Sequence, residues 1–270
     1  MKPLIDVLIV NYNTADFVAL TLWALKKLTD NPYRVIILDN RSTEKDCNQL
    51  YKIVEDYDNV TLERSDKSIT GEAAHAYGLN YLTQQVTAPY FAILDADATW
   101  LIKGWDTILF EELNEKVKVA GTQAPVGSHK EADFPLVFCM LFETQAFKEI
   151  NPNFNPPPPP QVGVGAGLRQ KYHDAGYTGK VIEMKNTRTY KDGPFAELIC
   201  AEYYLDRDYR NIFASHFSRG STLGVNKYMS TGFKFLYKTP IWGRWLLRHK
   251  GAQEKKRWIQ ICRDIINQQI

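Results

Sequence analysis

Short apolar runs that each end in a polar turn are the feature that most constrains this chain. Residues 4–10 lead into Asn11-Tyr12-Asn13-Thr14, and residues 33–38 lead into Asp39-Asn40-Arg41-Ser42-Thr43. Continuous apolar runs of this length indicate strands buried on both faces, as in parallel sheets covered by helices. The pattern predicts an α/β fold with a mostly parallel sheet flanked by helices, and a ligand site at the carboxyl edge of the sheet.

The spacing of apolar residues predicts the remaining helices and strands, with less clear boundaries. Helices are predicted over residues 16–28, 46–57 and 71–85. Further strands are predicted over residues 60–63, 90–94, 117–121 and 136–142. The five prolines at 156–160 favour an extended loop.

The charge of the chain is balanced except at its carboxyl end. The formal net charge is +2, and no basic stripe with interleaved aromatic residues precedes the last segment, which excludes nucleic acid as a partner. From residue 226 onward many lysines and arginines, with several tryptophans, face only Glu254 and Asp264. This basic, helical tail suits an anionic membrane surface, or it is an ordinary helix packed on the domain.

The cysteines and the first residues bear on location. The four cysteines show none of the paired spacings of a zinc or redox site, which favours free thiols in a reducing compartment. Residues 4–10 are interrupted by Asp6, so we interpret them as a strand and not as a signal peptide or a membrane span. A cytoplasmic protein is expected, with the tail as its one route to the inner face of the membrane.

The apolar strand at residues 90–94 ends abruptly in Asp95-Ala96-Asp97. Alternation along an extended chain points Asp95 and Asp97 to the same side. Two hard oxygen donors at a strand end suit Mg²⁺ or Mn²⁺ held jointly with a diphosphate, although a solvated turn has the same sequence.

Four motifs together resemble the inverting glycosyltransferase family 2 in order and spacing. They are Asn11-Tyr12-Asn13, the turn that starts at Asp39, the helix Gly71-Glu72-Ala73-Ala74-His75-Ala76-Tyr77-Gly78-Leu79-Asn80, and Phe91-Ala92-Ile93-Leu94-Asp95-Ala96-Asp97. The similarity covers residues 4–110 well and the remainder loosely.

That resemblance implies a glycosyltransferase A fold and a set of donor contacts. Asn11 and Tyr12 would bind the donor, with the Tyr12 ring stacked on the nucleobase. Asp39 would accept a hydrogen bond from the base edge. Asp95 would approach the ribose or the metal, and Asp97 would ligate the divalent ion that bridges the diphosphate.

Three later residues are candidates for the same site. His216 is a candidate third metal ligand, because glycosyltransferases of this fold often add a late histidine or acid; a structural histidine is the alternative. Lys67 and Arg219 are candidates to neutralise the leaving diphosphate, with a solvated surface position as the alternative for each.

The catalytic base has no clear candidate. An inverting transfer needs a carboxylate to take the proton of the acceptor hydroxyl, and related sequences carry an acid before the helix that follows the variable loop. Gly163 occupies that place here. The base would then move to Asp174, Glu183 or Asp192.

The resulting hypothesis is a hexosyltransferase or related enzyme, dependent on Mn²⁺ or Mg²⁺. Residues 1–225 would form the nucleotide-sugar-binding domain, and residues 226–270 the tail. The expected donor is a nucleotide diphosphate sugar, UDP sugars first, and the acceptor a glycan, a lipid-linked glycan or a protein. The alternatives are a nucleotide-sugar-binding pseudoenzyme without a base, and a sugar-phosphate nucleotidylyltransferase, whose Gly-rich basic first loop is missing here.

Overall fold

The computed structural model describes residues 2–124, 132–156, 163–223, 226–228 and 242–269. The strands within these residues are β1 Ile5–Asn11, β2 Tyr33–Asp39, β3 Val60–Arg64, β4 Tyr90–Leu94, β5 Ala98–Trp100, β6 Val117–Thr122, β7 Cys139–Glu143, β8 Thr178–Asn186, β9 Ala201–Tyr204 and β10 Ile212–His216. The α-helices are α1 Ala15–Leu28, α2 Glu44–Val54, α3 Gly71–Gln84, α4 Trp105–Glu112, α5 Thr144–Ile150, α6 Leu168–Asp174 and α7 Trp242–Asn267. Two short 3-10 helices are Gly220–Thr222 and Asn226–Tyr228.

The described strands form one sheet in the order β3-β2-β1-β4-β7-β6-β8-β9-β10-β5. Its first half is parallel, because β1 pairs with β2 and β4, and β2 pairs with β3. In the second half only β6 and β8 pair in parallel; β7 runs antiparallel to β4 and β6, and the β8, β9, β10 and β5 neighbours are antiparallel. Antiparallel neighbours need no helical crossover, and the links from β8 to β9 and from β9 to β10 contain no α-helix.

Helices cover both faces of the sheet, and each face buries its own hydrophobic cluster. Side chains alternate along a strand, so Val7 and Ile9 of β1 join the cluster under α1, α2, α4 and α7. Leu8 joins the opposite cluster, under α3, α5 and α6. The predicted α/β architecture with an open sheet between helices is confirmed.

Up to residue 94 each predicted element is observed, within about three residues at its ends, whereas β5 and α4, which follow, were not predicted. The predicted strand over residues 136–142 begins only at Cys139, because residues 137 and 138 form a turn. Val137 and Phe138 of this turn line a cavity. Of the predicted proline loop at 156–160, residues 157–160 lie outside the described residues.

The last helix is packed onto the domain along one side. Trp258 of α7 is fully buried, and its ring lies 5.6 Å from that of Phe17 and 6.0 Å from that of Phe217. Its indole nitrogen donates to Ser215 Oγ at 2.9 Å. Lys255 forms an ion pair with Asp16 of α1 at 2.5 Å. This part of α7 therefore belongs to the core built on the sheet.

The beginning of α7 is exposed instead. Trp242, Trp245 and Leu246 have 76%, 59% and 44% of their surface exposed. Among the described residues no helix is both long and apolar enough to cross a membrane.

The burial of Trp258 predicts a large loss of stability on truncation. Trp258→Ala should lower the free energy of unfolding by about 3–5 kcal/mol, since it leaves a cavity between the sheet and α7. Trp242→Ala is the matched control and should change it by no more than about 0.5 kcal/mol. Urea denaturation followed by far-UV circular dichroism measures both. Equal, small losses for the two variants would show that α7 is not docked as described.

Candidate active site

A cavity of about 820 Å³ opens at the carboxyl edge of the sheet. Its size is within the usual range for small-ligand sites. The turns after β1, β2 and β4, the start of α3 and three segments of the second half all contribute to its lining. The polar residues of the lining include Tyr12, Asn40, Arg41, Glu72, His75, Asp95, Asp97, His216, Ser218 and Arg219.

Asp95, Asp97 and His216 come together inside this cavity. One ligand atom from each lies within 4.8 Å of the other two. His216 Nε2 is 3.2 Å from Asp97 Oδ1 and 3.8 Å from Asp95 Oδ2. Asp97 and His216 are 8% and 5% exposed, so the group is largely shielded from bulk water.

Strand pairing explains why His216 meets Asp97. Asp97 immediately precedes β5, and β5 pairs with β10 so that Ala98 is opposite His216. The backbone N–H of Phe217 then donates to the carbonyl oxygen of Asp97 at 2.9 Å. These backbone contacts bring the two side chains to the same edge of the sheet.

The electrostatics of the pair are mutual. Burial works against ionisation of Asp97, but the imidazole of His216 and the backbone N–H of Gly220 outweigh it, so the pKa of Asp97 is lowered. Burial likewise works against protonation of His216, and the Asp97 carboxylate outweighs it, so the pKa of His216 is raised. Each residue therefore favours the charged form of the other, a carboxylate on Asp97 and a protonated imidazole on His216.

The loop after β10 is shaped around Asp97. The backbone N–H of Gly220 donates to Asp97 Oδ2 at 2.7 Å. Ser218, Arg219 and Leu223 adopt positive φ values of 64°, 62° and 47°, a conformation that costs free energy for residues with a side chain. The surrounding contacts therefore have to hold this loop in place.

A buried lysine is one of those contacts. Lys227 Nζ donates to the carbonyl oxygen of Phe217 at 2.7 Å and lies 3.3 Å from the centre of the Phe217 ring. Burial lowers the pKa of Lys227 to about 8. Its nearest acid is Glu254 of α7, at 3.9 Å, so α7 contributes to the support of the loop.

Two further residues lie next to Asp95, Asp97 and His216, which together are called the acidic group below. His75 of α3 places Nε2 3.4 Å from Asp95 Oδ1. The ring of Phe138 lies 4.3 Å from that of His216. Sequence reasoning missed Phe138 and Gly220, because an apolar residue before a strand and a glycine in a loop carry no signal of a site by themselves.

Asn11 and Asp39 meet each other and not the cavity. They are opposite one another in the β1–β2 register, both are fully buried, and Asn11 Nδ2 donates to Asp39 Oδ1 at 2.9 Å. Asp39 Oδ2 also accepts from the backbone N–H of Ser42 at 3.2 Å. The pair holds the two turns that present Tyr12 and Arg41 to the cavity.

The other predicted donor contacts are divided. Tyr12 is 50% exposed and lines the cavity, as does Arg219. Lys67 is outside the lining, with Asp66 3.7 Å away, whereas the following residues Ser68 and Ile69 line it. The structure therefore places Tyr12 and Arg219 in the same cavity as Asp95, Asp97 and His216, and leaves Lys67 outside its lining.

The positions considered for a base are also divided. Gly163 lines the cavity, with a φ of 102° that favours glycine. None of the three candidate acids is among the described lining residues. Asp174 accepts from Gln170 on α6, Glu183 accepts from Tyr209, and Asp192 is in an exposed loop.

Comparison with known proteins shows the family. The model of "Glycosyl transferase family 2" matches residues 6–176. The chain therefore belongs to glycosyltransferase family 2 and is a transferase, which confirms the resemblance and the enzyme class inferred from sequence.

The individual proteins to which the chain is similar share low sequence identity with it. A teichoic acid poly(glycerol phosphate) polymerase of Staphylococcus epidermidis is 26% identical over 94 residues, which is 34% of this chain and 12% of the polymerase. A mannosyltransferase of Pyrobaculum calidifontis, solved in complex with GDP-Man and Mn²⁺, superposes with a TM-score of 0.54 at 17% identity, covering 67% of this chain and 55% of that one. TarS of S. aureus in complex with UDP covers 57% of this chain and 50% of its own, with 15% identity and a TM-score of 0.43. The mannosyltransferase supports the glycosyltransferase A fold, and this chain spans about half of its length.

The close approach of Gly220 to Asp97 predicts that a methyl group is not tolerated there. A Cβ at Gly220 would lie 2.8 Å from Asp97 Cβ and 2.8 Å from a ring carbon of Phe17. Gly220→Ala should therefore cost about 1–3 kcal/mol in the free energy of unfolding. At Gly167 an added Cβ meets nothing within 4 Å, so Gly167→Ala, the control, should be neutral or slightly stabilising. Thermal unfolding of both variants decides this, and an unaltered melting temperature for Gly220→Ala would contradict the described loop.

Proposed function

We propose that this chain transfers a sugar from a nucleotide diphosphate sugar to a hydroxyl group, with inversion and with the help of a divalent ion. The acceptor is a glycan, a lipid-linked glycan or a protein. The observation that carries the proposal is the Asp95, Asp97 and His216 group inside a cavity large enough for a nucleotide sugar.

The donor set of this group fits Mn²⁺ or Mg²⁺. Asp95 and Asp97 offer hard carboxylate oxygens, and His216 offers an imidazole nitrogen, which is better suited to Mn²⁺ than to Mg²⁺. When bound, the ion would stabilise the negative charge that develops on the leaving diphosphate. The Mn²⁺ named with the mannosyltransferase of the same fold supports this assignment.

The remaining lining residues suit a nucleotide diphosphate. The exposed Tyr12 ring offers a face for the base, and Arg219 offers a cation for the diphosphate beside the acidic group. Asn11 and Asp39 act in donor binding through the turns that they hold together. Lys67, next to the lining, is a second cation for the diphosphate. UDP sugars are the first donors to examine.

The reaction follows from these placements. Tyr12 and Arg219 orient the donor, so that its anomeric carbon faces the open part of the cavity. The acceptor hydroxyl group loses its proton to a general base as its oxygen bonds to that carbon. The bond from the carbon to the diphosphate oxygen breaks with its electron pair, and the nucleoside diphosphate leaves. Holding both reactants in one geometry supplies much of the rate increase.

The direct test is donor hydrolysis by the full chain over UDP, GDP, dTDP and CMP sugars, with Mn²⁺, with Mg²⁺ and with EDTA. Turnover of at least one nucleoside diphosphate sugar is expected with metal, and none with EDTA. Metal-independent turnover would remove the divalent ion from the proposal. No turnover of any donor, together with no binding of any nucleoside diphosphate, would contradict the function.

Asp97→Ala should weaken binding of UDP in the presence of Mn²⁺ by at least about 10–100-fold, the loss usual for partners in the outer shell of a metal, because Asp97 would be a direct ligand of the ion. Isothermal titration calorimetry measures the affinity. Asp208→Ala is the matched control, since the Asp208 side chain is 75% exposed and outside the cavity, and it should bind as the unaltered chain does. An unchanged affinity in Asp97→Ala would contradict the assignment of Asp97 as a metal ligand.

We also propose that the start of α7 holds the enzyme at an anionic membrane, on the cytoplasmic side. Trp242, Trp245 and Leu246 are exposed at i, i+3 and i+4 on one face of the helix, and exposed Arg248 follows them. Tryptophans at headgroup level beside cations are typical of interfacial helices. The division of the chain at residue 225 stays a prediction, and the burial of Trp258 makes substitution a better test than truncation.

Replacing Trp242, Trp245 and Leu246 together by alanine should lower binding to vesicles containing phosphatidylglycerol by at least about tenfold, since each loses apolar area that the interface would bury. Flotation measures the bound fraction. A control with Tyr51→Ala and Leu205→Ala, which alters exposed apolar residues elsewhere, should float as the unaltered chain does. Equal flotation of all three proteins would rule the surface out.

A further inference from the structure

Nearly all of the acidic residues, which are the candidates for a catalytic base, lie in the described part of the chain. Of the 31 aspartates and glutamates, Glu131 alone lies outside the described residues. Among the others, Glu72, Asp95 and Asp97 are the carboxylates that line the cavity. Asp95 and Asp97 belong to the group with His216, which leaves Glu72 as the described lining carboxylate outside that group.

Helix α3 carries Glu72 toward that group. Glu72 and His75 are three residues apart in the same helix and both line the cavity, so their Cβ atoms are about 5–6 Å apart on one face. His75 Nε2 is 3.4 Å from Asp95 Oδ1. Glu72 is thus one helical turn from a residue in contact with the acidic group, and its side chain is exposed to the cavity.

The sheet determines where the first turn of α3 lies. Ala74 is buried, and a Cβ at Gly78 would be 2.9 Å from a methyl carbon of Val10, so the helix is in close contact with β1. Gly71 begins the helix with a φ of 65°, and the residue after it is Glu72. The glutamate therefore lies at the carboxyl edge of the sheet, on a helix whose position is set by packing.

The segment that carries Gly163 presents no acid to the same cavity. Gly163 and Val164 line it, and the φ of 102° at Gly163 disfavours an aspartate in that place. An inverting transfer still requires a group that accepts the proton of the acceptor.

We infer that Glu72 is the general base of this enzyme. The inference rests on the proposed sugar transfer. The carboxylate of Glu72 takes the proton of the acceptor hydroxyl as the acceptor oxygen bonds to the anomeric carbon. The bond from that carbon to the diphosphate oxygen breaks with its electron pair, and the nucleoside diphosphate leaves. Glu72 ends the step as a neutral acid and returns its proton to water.

The experiment compares Glu72→Gln with Glu111→Gln, an exposed glutamate of α4 outside the cavity, in the full chain with Mn²⁺. The probe is a nucleotide sugar that the unaltered chain hydrolyses. Glu72→Gln should lower turnover by about 10²–10⁴-fold, while UDP affinity by calorimetry stays within about twofold. Glu111→Gln should match the unaltered chain in both measurements.

Azide separates a base from a merely structural residue. Azide has no proton to remove, so it should restore turnover in Glu72→Gln and form a glycosyl azide of inverted configuration, with little effect on the unaltered chain. Full turnover in Glu72→Gln, or a loss that azide does not restore, would overturn the assignment. Loss of turnover in Glu131→Gln with Glu72→Gln unaffected would place the base at Glu131. If the unaltered chain neither binds UDP nor turns over any donor, the proposed function itself fails, a result distinct from a failure at Glu72.

Discussion

The carboxylate of Asp97 is the group on which the arrangement of the second half depends. It is buried, and a buried carboxylate must be paired and hydrogen-bonded to be tolerated. Its partners are His216 Nε2 at 3.2 Å and the backbone N–H of Gly220 at 2.7 Å, from segments 119 and 123 residues away along the chain. The pairing of β5 with β10 and the strained loop after β10 are what make those contacts possible.

The parallel half of the fold and the acidic pair were predictable because their signals are local. Each βα unit has its apolar strand, its polar turn and its helix within about thirty residues, so periodicity reveals the unit without knowledge of the rest. The strand that ends at Leu94 and the two aspartates after it are also adjacent in sequence, although β5 and not a helix follows them. The direction and the neighbours of the later strands could not be predicted in this way. β7 lies between β4 and β6, and no pattern within its five residues indicates which strands it pairs with.

Polar residues at strand ends show where sequence reasoning stops. Asn11 and Asp39 end neighbouring strands. Their amide and carboxylate groups can hydrogen-bond to a nucleotide, but they can equally hydrogen-bond to each other, as they do here at 2.9 Å. Which partner is used depends on the register of β1 and β2, a long-range property. His216 was identifiable only as a candidate, since its placement requires β10 to pair with β5. Glu72 lies in one of the motifs that resemble the family, but nothing in the sequence marked it as a base, because the cavity that it lines is formed by segments far from α3.

The carboxyl-terminal helix has a role that composition alone does not reveal. Its aromatic residues look alike in sequence, but Trp258 is on the face with Leu247, Gly251 and Glu254, all buried, whereas Trp242 and Trp245 are on the exposed face. The buried face also reaches the loop after β10: a Cβ at Gly251 would collide with the carbonyl oxygen of Leu223, and Glu254 faces Lys227. Because that loop supplies the N–H that binds Asp97, α7 supports the acidic group from behind. The buried and exposed faces of α7 thus have different roles, because it is the buried face that contacts the loop at Gly220 and the core.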